Sequence, residues 1–582
     1  MKFPNSHIDQ HPRPQLTRPS FMLLDGVWDF AFDDEDQGIK QQWFSRWEKN
    51  RSIIVPFSYQ TRMSTIHDTH HHEIIWYHLT FEYCTQETTL LHLEKSDDET
   101  MVWVNGIFIG KNIGGYHRIT MDISHALREG QNDLTIRVHD SWDTMQPRGK
   151  QRWKKESFGC WYVETNGIYQ SVWLEAVPKT YLKHVILTPD VEKMLLNVDY
   201  DVQLHHEHTM MEIEILFEGQ LIQKVSQLIM HEQGHLTLEM KTDQDQFKLM
   251  TWHADHPHLY DLILRLKHHD VIVDEAKSYV GMRQWKSVGR ALYLNDEPVY
   301  LKMLLDQGYW PESGLTAPSQ DALLSDLILT KRMGYNGIRK HQKIEDERFY
   351  YYADVLGLYV WLEMPSAYEF SQKMMKRVTD EWLSILQQHR HYSSIMTYVL
   401  FNESWGLHHI MHDQDQQRFS VALYHLTKSM DPTRFVISND GWEHTISDLI
   451  TIHNYVSSGD VLNKMYQDVI GLMNHQVANQ TKVRSIFAEG YHDMGQPIIF
   501  SEYGGVAFQS DEGWGYGDKV QTKEAFRQRL FDLTHAIMQH PLFSGYCLTQ
   551  TTDVEQEVNG VMNPKRELKL TYEEYLAING VK

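Results

Sequence analysis

Ile395-Met396-Thr397-Tyr398-Val399-Leu400 runs directly into Phe401-Asn402-Glu403-Ser404-Trp405-Gly406, so a short apolar segment ends on a carboxylate. Further on the pattern recurs: Pro497-Ile498-Ile499-Phe500 ends in Ser501-Glu502-Tyr503-Gly504-Gly505. Runs of this length, apolar on both faces and closed by polar residues, are the signature of strands in a buried parallel sheet. Others flank them: Val299 to Met303, Gly337-Ile338-Arg339, Leu358 to Leu362, Phe435 to Ser438, Leu449 to Ile452 and Phe543 to Leu548. Helical stretches lie between, over Ser319 to Lys331, Glu345 to Leu356, Gln372 to His389 and Gln414 to Ser429. Eight such strands in the last half of the chain predict a (β/α)₈ barrel over 286–582. An open doubly wound sheet would want a glycine-rich phosphate loop, and none is present.

In a (β/α)₈ barrel the reactive groups stand at the C-terminal ends of the strands. The fourth and seventh runs therefore bring Glu403 and Glu502 to one rim from opposite sides of the mouth. Glycoside hydrolysis needs such a pair, one carboxylic acid to protonate the leaving oxygen and one carboxylate to attack or to activate water. A single strand-end glutamate is as readily a salt-bridge partner. Two of them, each flanked by aromatic and glycine residues, point to chemistry.

Upstream the period changes. From Leu24 to about Val177, short alternating segments such as Val27-Trp28-Asp29-Phe30, Ile74-Ile75-Trp76-Tyr77 and Met101-Val102-Trp103-Val104 are separated by turn signals. The last enters Asn105-Gly106, a strong hairpin signal. A jelly-roll β-sandwich is expected over 1–180 and an immunoglobulin-like β-sandwich over 181–285.

Composition narrows the function classes. Fifty-five basic against 78 acidic residues give a net charge of −23, which disfavours nucleic acid and anionic membrane surfaces as partners. No apolar run is long enough for a membrane helix, and Met1 to Gln10 lacks the pattern of a signal peptide, so a cytoplasmic location is expected. Cys84, Cys160 and Cys547 are too scattered for a disulfide framework or a cysteine metal site. The densest of the 35 histidines, His67 to His72, lie between strand-like segments and read as a solvated loop.

With these motifs in view, the sequence resembles glycoside hydrolase family 2, the family of β-galactosidases, β-glucuronidases and β-mannosidases. The likeness covers nearly the whole chain: Asp25 to Phe30, Val102 to Gly106 with Gly114-Gly115-Tyr116, Thr165 to Leu174, Ser278 to Arg283, Gly337 to His341, Asn402-Glu403 and Glu502-Tyr503. It implies a retaining mechanism with Glu403 as general acid/base and Glu502 as nucleophile. Asn402 would bind the sugar 2-hydroxyl, Arg339 would keep the nucleophile ionised, and His341 would contact substrate. Tyr455, in His453-Asn454-Tyr455, would hydrogen-bond the nucleophile. Trp442 and Trp514, like Trp310, lie in strand-end loops where an aromatic face can stack on a sugar, with plain packing as the alternative. Asp306, after the first strand, is a candidate for a sugar hydroxyl or a loop cap, and Gln550 stands near the place of the family's strand-eight tryptophan.

The sequence departs from the family at two points. The magnesium-ligand histidine of the large bacterial β-galactosidases corresponds to Tyr392 in His391-Tyr392-Ser393-Ser394, so no metal or other cofactor is expected. The Asn-x-Lys motif by which β-glucuronidases hold a uronate is replaced by the acidic Glu555-Gln556-Glu557-Val558-Asn559-Gly560, with Asn563-Pro564-Lys565 displaced downstream. A neutral hexose suits the acidic loop better than a uronate. The expected activity is that of a retaining exo-glycosidase, a β-galactosidase first. β-Glucuronidase, β-mannosidase and a catalytically silent carbohydrate-binding protein remain as alternatives. The expected partner is a small carbohydrate or glycoside; self-association into a homo-oligomer is left open.

Overall fold

The computed structural model describes residues 11–84, 88–241, 248–474 and 484–581. The chain opens as two β-sandwiches. In the first, a four-stranded sheet (Phe21–Leu23, Val172–Val177, Thr88–Leu93, Ile119–Asp122, in spatial order) faces a six-stranded one. The latter runs Arg51–Val55, Gly26–Phe32, Ile74–Tyr83, Gly130–His139, Glu99–Val104, Ile107–Ile113. Asn105 and Gly106, with φ of 52° and 78°, form the two-residue turn between the last pair, which requires positive φ at both positions. Inward residues of both sheets, Trp28, Phe30, Tyr77, Leu91, Val102, Ile136 and Leu174 among them, form one buried cluster.

The second sandwich packs a three-stranded sheet (Tyr181–Asp190, Leu195–Gln203, Gln233–Glu239) on a four-stranded one (Gln220–Leu228, Thr209–Phe217, Tyr260–His268, Val271–Val280). A three-stranded β-meander, Trp285–Val299, follows; its Trp285, Leu292 and Leu294 share a buried cluster with Leu301, Met303, Trp361, Met396 and Ile499 of the barrel.

The barrel itself is an eight-stranded parallel sheet. In chain order its strands are Leu301–Asp306, Gly337–Lys340, Tyr359–Glu363, Ile395–Val399, Phe435–Ile437, Ile450–His453, Ile498–Gly504 and Phe543–Thr549, called here the first to the eighth. Their spatial order is 5-4-3-2-1-8-7-6, and the fifth and sixth approach through single contacts such as Asp448 N–H to Val436 O, 2.8 Å. Most helices around it begin on side chains suited to capping exposed N–H groups: Ser319, Asp346, Ser371, Asp413, Thr522 and Thr571 each accept from the first turn. Among the described residues, no helix is long and apolar enough to cross a membrane.

The first sandwich is docked on the barrel rather than tethered to it. Arg118 donates to Glu94 of its own domain at 2.8 Å and also pairs with Glu347 of the barrel. Glu381 accepts from the Tyr116 N–H at 2.8 Å, and Arg148 and Gly149 donate their N–H groups to Ser366 O. The loop over residues 146–166 is thereby laid across the barrel mouth.

Helix Gln372–His389 covers the third and fourth strands with Trp382, which is fully buried. Its ring meets Tyr398 edge-on at 5.7 Å and its indole N–H reaches Thr427 at 2.9 Å. Trp382→Ala is expected to lower the barrel's stability by about 3–5 kcal/mol, the usual cost of deleting a buried tryptophan. Urea unfolding followed by far-UV circular dichroism, compared with a Trp382→Phe control of smaller effect, measures this.

Candidate active site

The C-terminal ends of the strands converge on Arg339, at the third position of the second strand and fully buried. Its Nε donates to Glu363 at 2.7 Å, and its Nη1 lies 2.7 Å from Asp440 and donates to Glu502 at 2.8 Å. Its Nη2 donates to Asn402 Oδ1 at 2.7 Å. Burial works against the guanidinium's charge, but Asp440, Glu363 and Glu502 together outweigh it and hold the group firmly protonated.

Glu502 lies on the seventh strand, buried, with one oxygen on Arg339 and the other accepting from the Tyr455 hydroxyl at 2.6 Å. Tyr455 is itself fixed, stacked on Tyr516 at 3.4 Å and 2.9 Å from Thr549 Oγ1. Glu403 follows the fourth strand in a left-handed turn, with φ of 52° there and 60° at Ser404. Such a conformation in non-glycine residues costs about 1–3 kcal/mol and persists only when its surroundings fix it. Here Glu403 N–H donates to Asp440 O at 3.0 Å, Ser404 N–H to Asn439 at 2.9 Å, and Ser404 Oγ to Glu443 at 2.6 Å.

His453, the last residue of the sixth strand, connects the two glutamates. Its Nδ1 is 2.8 Å from Glu403 Oε1 and 3.5 Å from Glu502 Oε2, and its Nε2 is 3.0 Å from Asp440. Burial alone would discharge the ring, yet Glu502, Asp440 and Glu403 raise its pKa to about 10. For Glu403 burial pushes upward, but the hydrogen bond and charge of His453 win and hold the carboxyl below its ordinary value. Facing atoms of Glu403, His453 and Glu502 all lie within 4.8 Å of one another. That spacing could suit a metal ion, which would have to displace the proton on His453 to bind there.

The residues anticipated from sequence are placed as follows. Glu403, Glu502, Arg339, Asn402, His453 and Tyr455 share one hydrogen-bonded network. His341 joins it through Nδ1, 3.1 Å from both Arg339 and Glu363, and burial keeps this ring neutral. Trp442 meets His453 edge-on at 5.6 Å, with the Arg484 guanidinium over its ring. Trp514 stands at the rim, edge-on to Tyr516 and donating to Gly159 O at 2.9 Å. Gln550 is buried, donating to Asn559 at 2.6 Å, while its Oε1 has no hydrogen-bond partner among the described residues. Asp306 lies apart from the network: Lys340 donates to its Oδ2 at 2.5 Å and Gly308 N–H to its Oδ1, and the same lysine reaches Glu345. Tyr392, in the place of the metal-ligand histidine, is buried and donates to Glu347 at 2.5 Å. Asn563 and Lys565 stand in an exposed turn, where Asn563 bonds Glu567. In the histidine-rich loop His67 and His70 are exposed, but His72 stacks on Phe32 at 3.7 Å and His71 on Trp142 at 4.6 Å, so this loop is only half solvated.

Several participants were not singled out from sequence. Glu363 ends the third strand and Asp440 follows the fifth, and the rule that the polar residues closing an apolar run are informative would have found both. The others come from a different domain and carried no signal. Lys150, on the loop from the first sandwich, is buried with its Nζ 3.2 Å from Cys160 Sγ, and its charge acts on Glu403, Glu557 and His341. Tyr162 of the same loop donates to Glu557 at 2.5 Å, and burial raises the Glu557 carboxyl above its ordinary value.

A sugar-binding-type sandwich, a second sandwich and a barrel with paired rim carboxylates define a multidomain glycosidase fold, and comparison with known proteins agrees. Models of glycosyl hydrolases family 2 match the sugar binding domain over residues 21–178, a further domain over 180–283 and the TIM barrel domain over 286–535. The chain belongs to glycoside hydrolase family 2. A putative β-glucuronidase of Formosa agariphila is 29% identical over 356 residues, 59% of this chain and 41% of that protein. A β-galactosidase of Thermoanaerobacter pseudethanolicus is 26% identical over 376 residues, 61% of this chain and 49% of that one. The chain thus spans less than half the length of these curated relatives. The β-glucuronidase from Ruminococcus gnavus in complex with D-glucuronic acid superposes with a TM-score of 0.78 at 17% identity, covering 98% of this chain and 99% of that one. At that identity the likeness is one of fold.

The raised pKa of His453 has a signed consequence for stability. A group whose folded pKa lies above its unfolded value, here about 10 against 6.5, stabilises the fold fully below the unfolded value. That contribution is lost as pH rises through the folded one. The stability difference between wild type and His453→Gln is therefore expected to be largest near pH 6 and to shrink steadily toward pH 10. Denaturant midpoints across this range test the trend, and a difference that grew with pH would mean a neutral imidazole.

Proposed function

We propose that the chain is a retaining exo-glycosidase that removes a terminal β-linked sugar by double displacement. The observation that carries this reading is the approach of Glu403 and Glu502 across His453, with facing oxygens within 4.8 Å. Retaining enzymes hold their carboxyl groups about 5–5.5 Å apart, whereas inverting ones leave about 6.5–9.5 Å for a water.

Glu502 attacks the anomeric carbon while Glu403 gives a proton to the leaving glycosidic oxygen. The C–O bond breaks, the aglycone departs as an alcohol, and a glycosyl ester forms on Glu502. Water then attacks the same carbon, Glu403 takes its proton, and the β-anomer is released. Arg339 and Tyr455, one on each oxygen of Glu502, hold the nucleophile anionic and in line. His453, 2.8 Å from Glu403, fixes the orientation of the acid/base carboxyl. Asn402, fixed by Arg339, would take a sugar hydroxyl, and Trp442, Trp514 and Gln550 would border the substrate.

For the sugar we favour a neutral hexose, β-galactoside first. Glu557 is buried near Glu502, and a uronate placed beside it would meet like charge. One observation favours a β-glucuronide instead: the Lys150 ammonium is buried at the same site with a thiol as its hydrogen-bond partner. A sugar carboxylate would complete that lysine.

A panel of p-nitrophenyl β-glycosides separates these readings. Hydrolysis of the galactoside is expected, falling to background in Glu502→Ala and by about 10²–10⁴-fold in Glu403→Ala, the usual worth of a general acid. Proton NMR should show the β-anomer first; the α-anomer would overturn retention. Lys150→Met is expected to leave a neutral substrate's kcat/KM within a few-fold. Selective hydrolysis of the glucuronide, abolished by Lys150→Met, would make the uronate reading correct. No hydrolysis of any glycoside would favour a binding protein.

A further inference from the structure

Where the three domains meet lies a second cavity, of about 340 Å³, lined by none of the rim residues. Its size falls at the lower end of the range for small-molecule sites, about 300–1,000 Å³. Arg13 enters it from the segment before the first strand, Arg118 and Glu175 from the first sandwich and Lys183 from the second. The barrel contributes Glu347 and Gln387, one from each of two helices.

Two guanidinium groups keep donors free at this junction. Arg13 spends its Nε on Leu16 O at 2.9 Å and its Nη2 on Glu175 at 2.7 Å. Arg118 spends its Nε on Glu94 at 2.8 Å and pairs its Nη2 with Glu347. The remaining nitrogen of each, Nη1, has no hydrogen-bond partner among the described residues, and neither is sealed from solvent. The two side chains are only 10% and 11% exposed, so what each still shows opens into the cavity it lines. Lys183 adds a third cation, whose nearest carboxylate, Asp201, is 3.8 Å away and too far for a hydrogen bond.

The buried carboxylates around the cavity, by contrast, are used up. Glu175 Oε1 accepts from Arg13 and Arg18, and its Oε2 lies 3.2 Å from His92 Nε2. Glu347 Oε1 takes Gln388 Nε2 at 2.6 Å as well as Arg118, and its Oε2 takes the Tyr392 hydroxyl at 2.5 Å. With Glu175 shared between two arginines, Arg13 lacks a full counter-charge. Burial lowers its pKa, and Arg118 and Arg18 add to that against the pull of Glu175. His184, which also lines the cavity, reads the same field: burial, then Arg13, Arg390 and Arg118, lowers it to about 4. An anion is the ligand that such surroundings stabilise. A carboxylate has two oxygens and is matched by one guanidinium fork, whereas a phosphate group has enough to meet two forks at once.

We propose that this junction is an oxyanion site, which takes a phosphate group, free or carried on a small organic molecule, across Arg13 and Arg118. It is separate from the rim carboxylates and stands whichever glycoside, if any, is hydrolysed. Because Arg118 also ties the first sandwich to Glu347 of the barrel, a phosphate held there joins the domains more firmly.

Isothermal titration with inorganic phosphate and with glycerol 1-phosphate, at an ionic strength held constant with sodium chloride, tests this. With a net charge of −23 the surface at large has little affinity for anions, so one saturable site per chain is the expected result. Tighter binding of the ester assigns an organic phosphate and equal affinity assigns the free ion; both uphold the site. Saturation should raise the Tm, because a ligand held only by the native state stabilises it. Substituting Arg13 or Arg118 would also release a buried carboxylate, so the deciding variants are Gln387→Glu and Lys183→Gln, on exposed and part-exposed side chains. Gln387→Glu sets a negative charge beside the cavity and should weaken phosphate binding about tenfold or more, Lys183→Gln by several-fold. Each should keep the parental Tm without ligand and the parental rate on p-nitrophenyl glycosides. Crystals soaked in tungstate, a heavier oxyanion, should show anomalous density at Nη1 of Arg13 and Arg118. Absence of saturable binding, a Tm gain undiminished in Gln387→Glu, or tungstate confined to the rim or to surface lysines would overturn the proposal.

Discussion

Arg339 is buried away from solvent, and the rim of the barrel is organised by that fact. A buried guanidinium is tolerable only when its donors are met by anions in good geometry, and removing one partner from such a group typically costs about 3–5 kcal/mol. Glu363 from the third strand, Asp440 after the fifth and Glu502 on the seventh meet it, with Asn402 after the fourth. Four strand ends are therefore tied to one side chain. The same ties leave each of those groups with a single orientation, which is the requirement for a reacting pair of carboxylates.

His453 extends this logic. With Asp440 shared between it and Arg339, the imidazolium is surrounded by three carboxylates and stays charged although buried. Glu403 and Glu502 would repel one another at this separation; a cation between them makes the close approach stable. The left-handed backbone at Glu403 and Ser404 is the strain accepted for aiming one carboxylate at the other.

How much of this was legible in the sequence follows from where each residue sits. Glu403 and Glu502 stand in or just beyond apolar runs, so period and position were enough to bring them to one rim, while Arg339 came from the family resemblance. Glu363 and Asp440 obey the same rule but lack an unusual neighbour to draw attention. Asp306 obeys it too, and yet its carboxylate is consumed by Lys340, because a strand-end position says where a side chain emerges and not what already holds it. Lys150, Cys160 and Tyr162 were beyond reach for another reason: domain docking places them, through backbone contacts such as Arg148 N–H to Ser366 O, and no local pattern encodes those.

That loop shows why the sandwiches matter to the chemistry. A barrel rim is open, and carboxylates in open water lose most of their influence on one another. Trp161 of the loop packs edge-on against Trp405 at 5.1 Å and donates to Tyr368 at 2.7 Å, so the loop is anchored over the third and fourth strand ends. Gln556, beyond the eighth strand, donates to Gly159 and Trp161 from the other side. Clamped at both edges, the loop lowers the local dielectric and brings in Lys150. The cation matters because the rim otherwise sets Glu363, Glu403, Asp440, Glu502 and Glu557 against Arg339 and His453. Lys150 adds a third buried cation to that balance, acting on Glu403 and Glu557 through its charge, so the remote domain moderates an acidity that the barrel alone leaves.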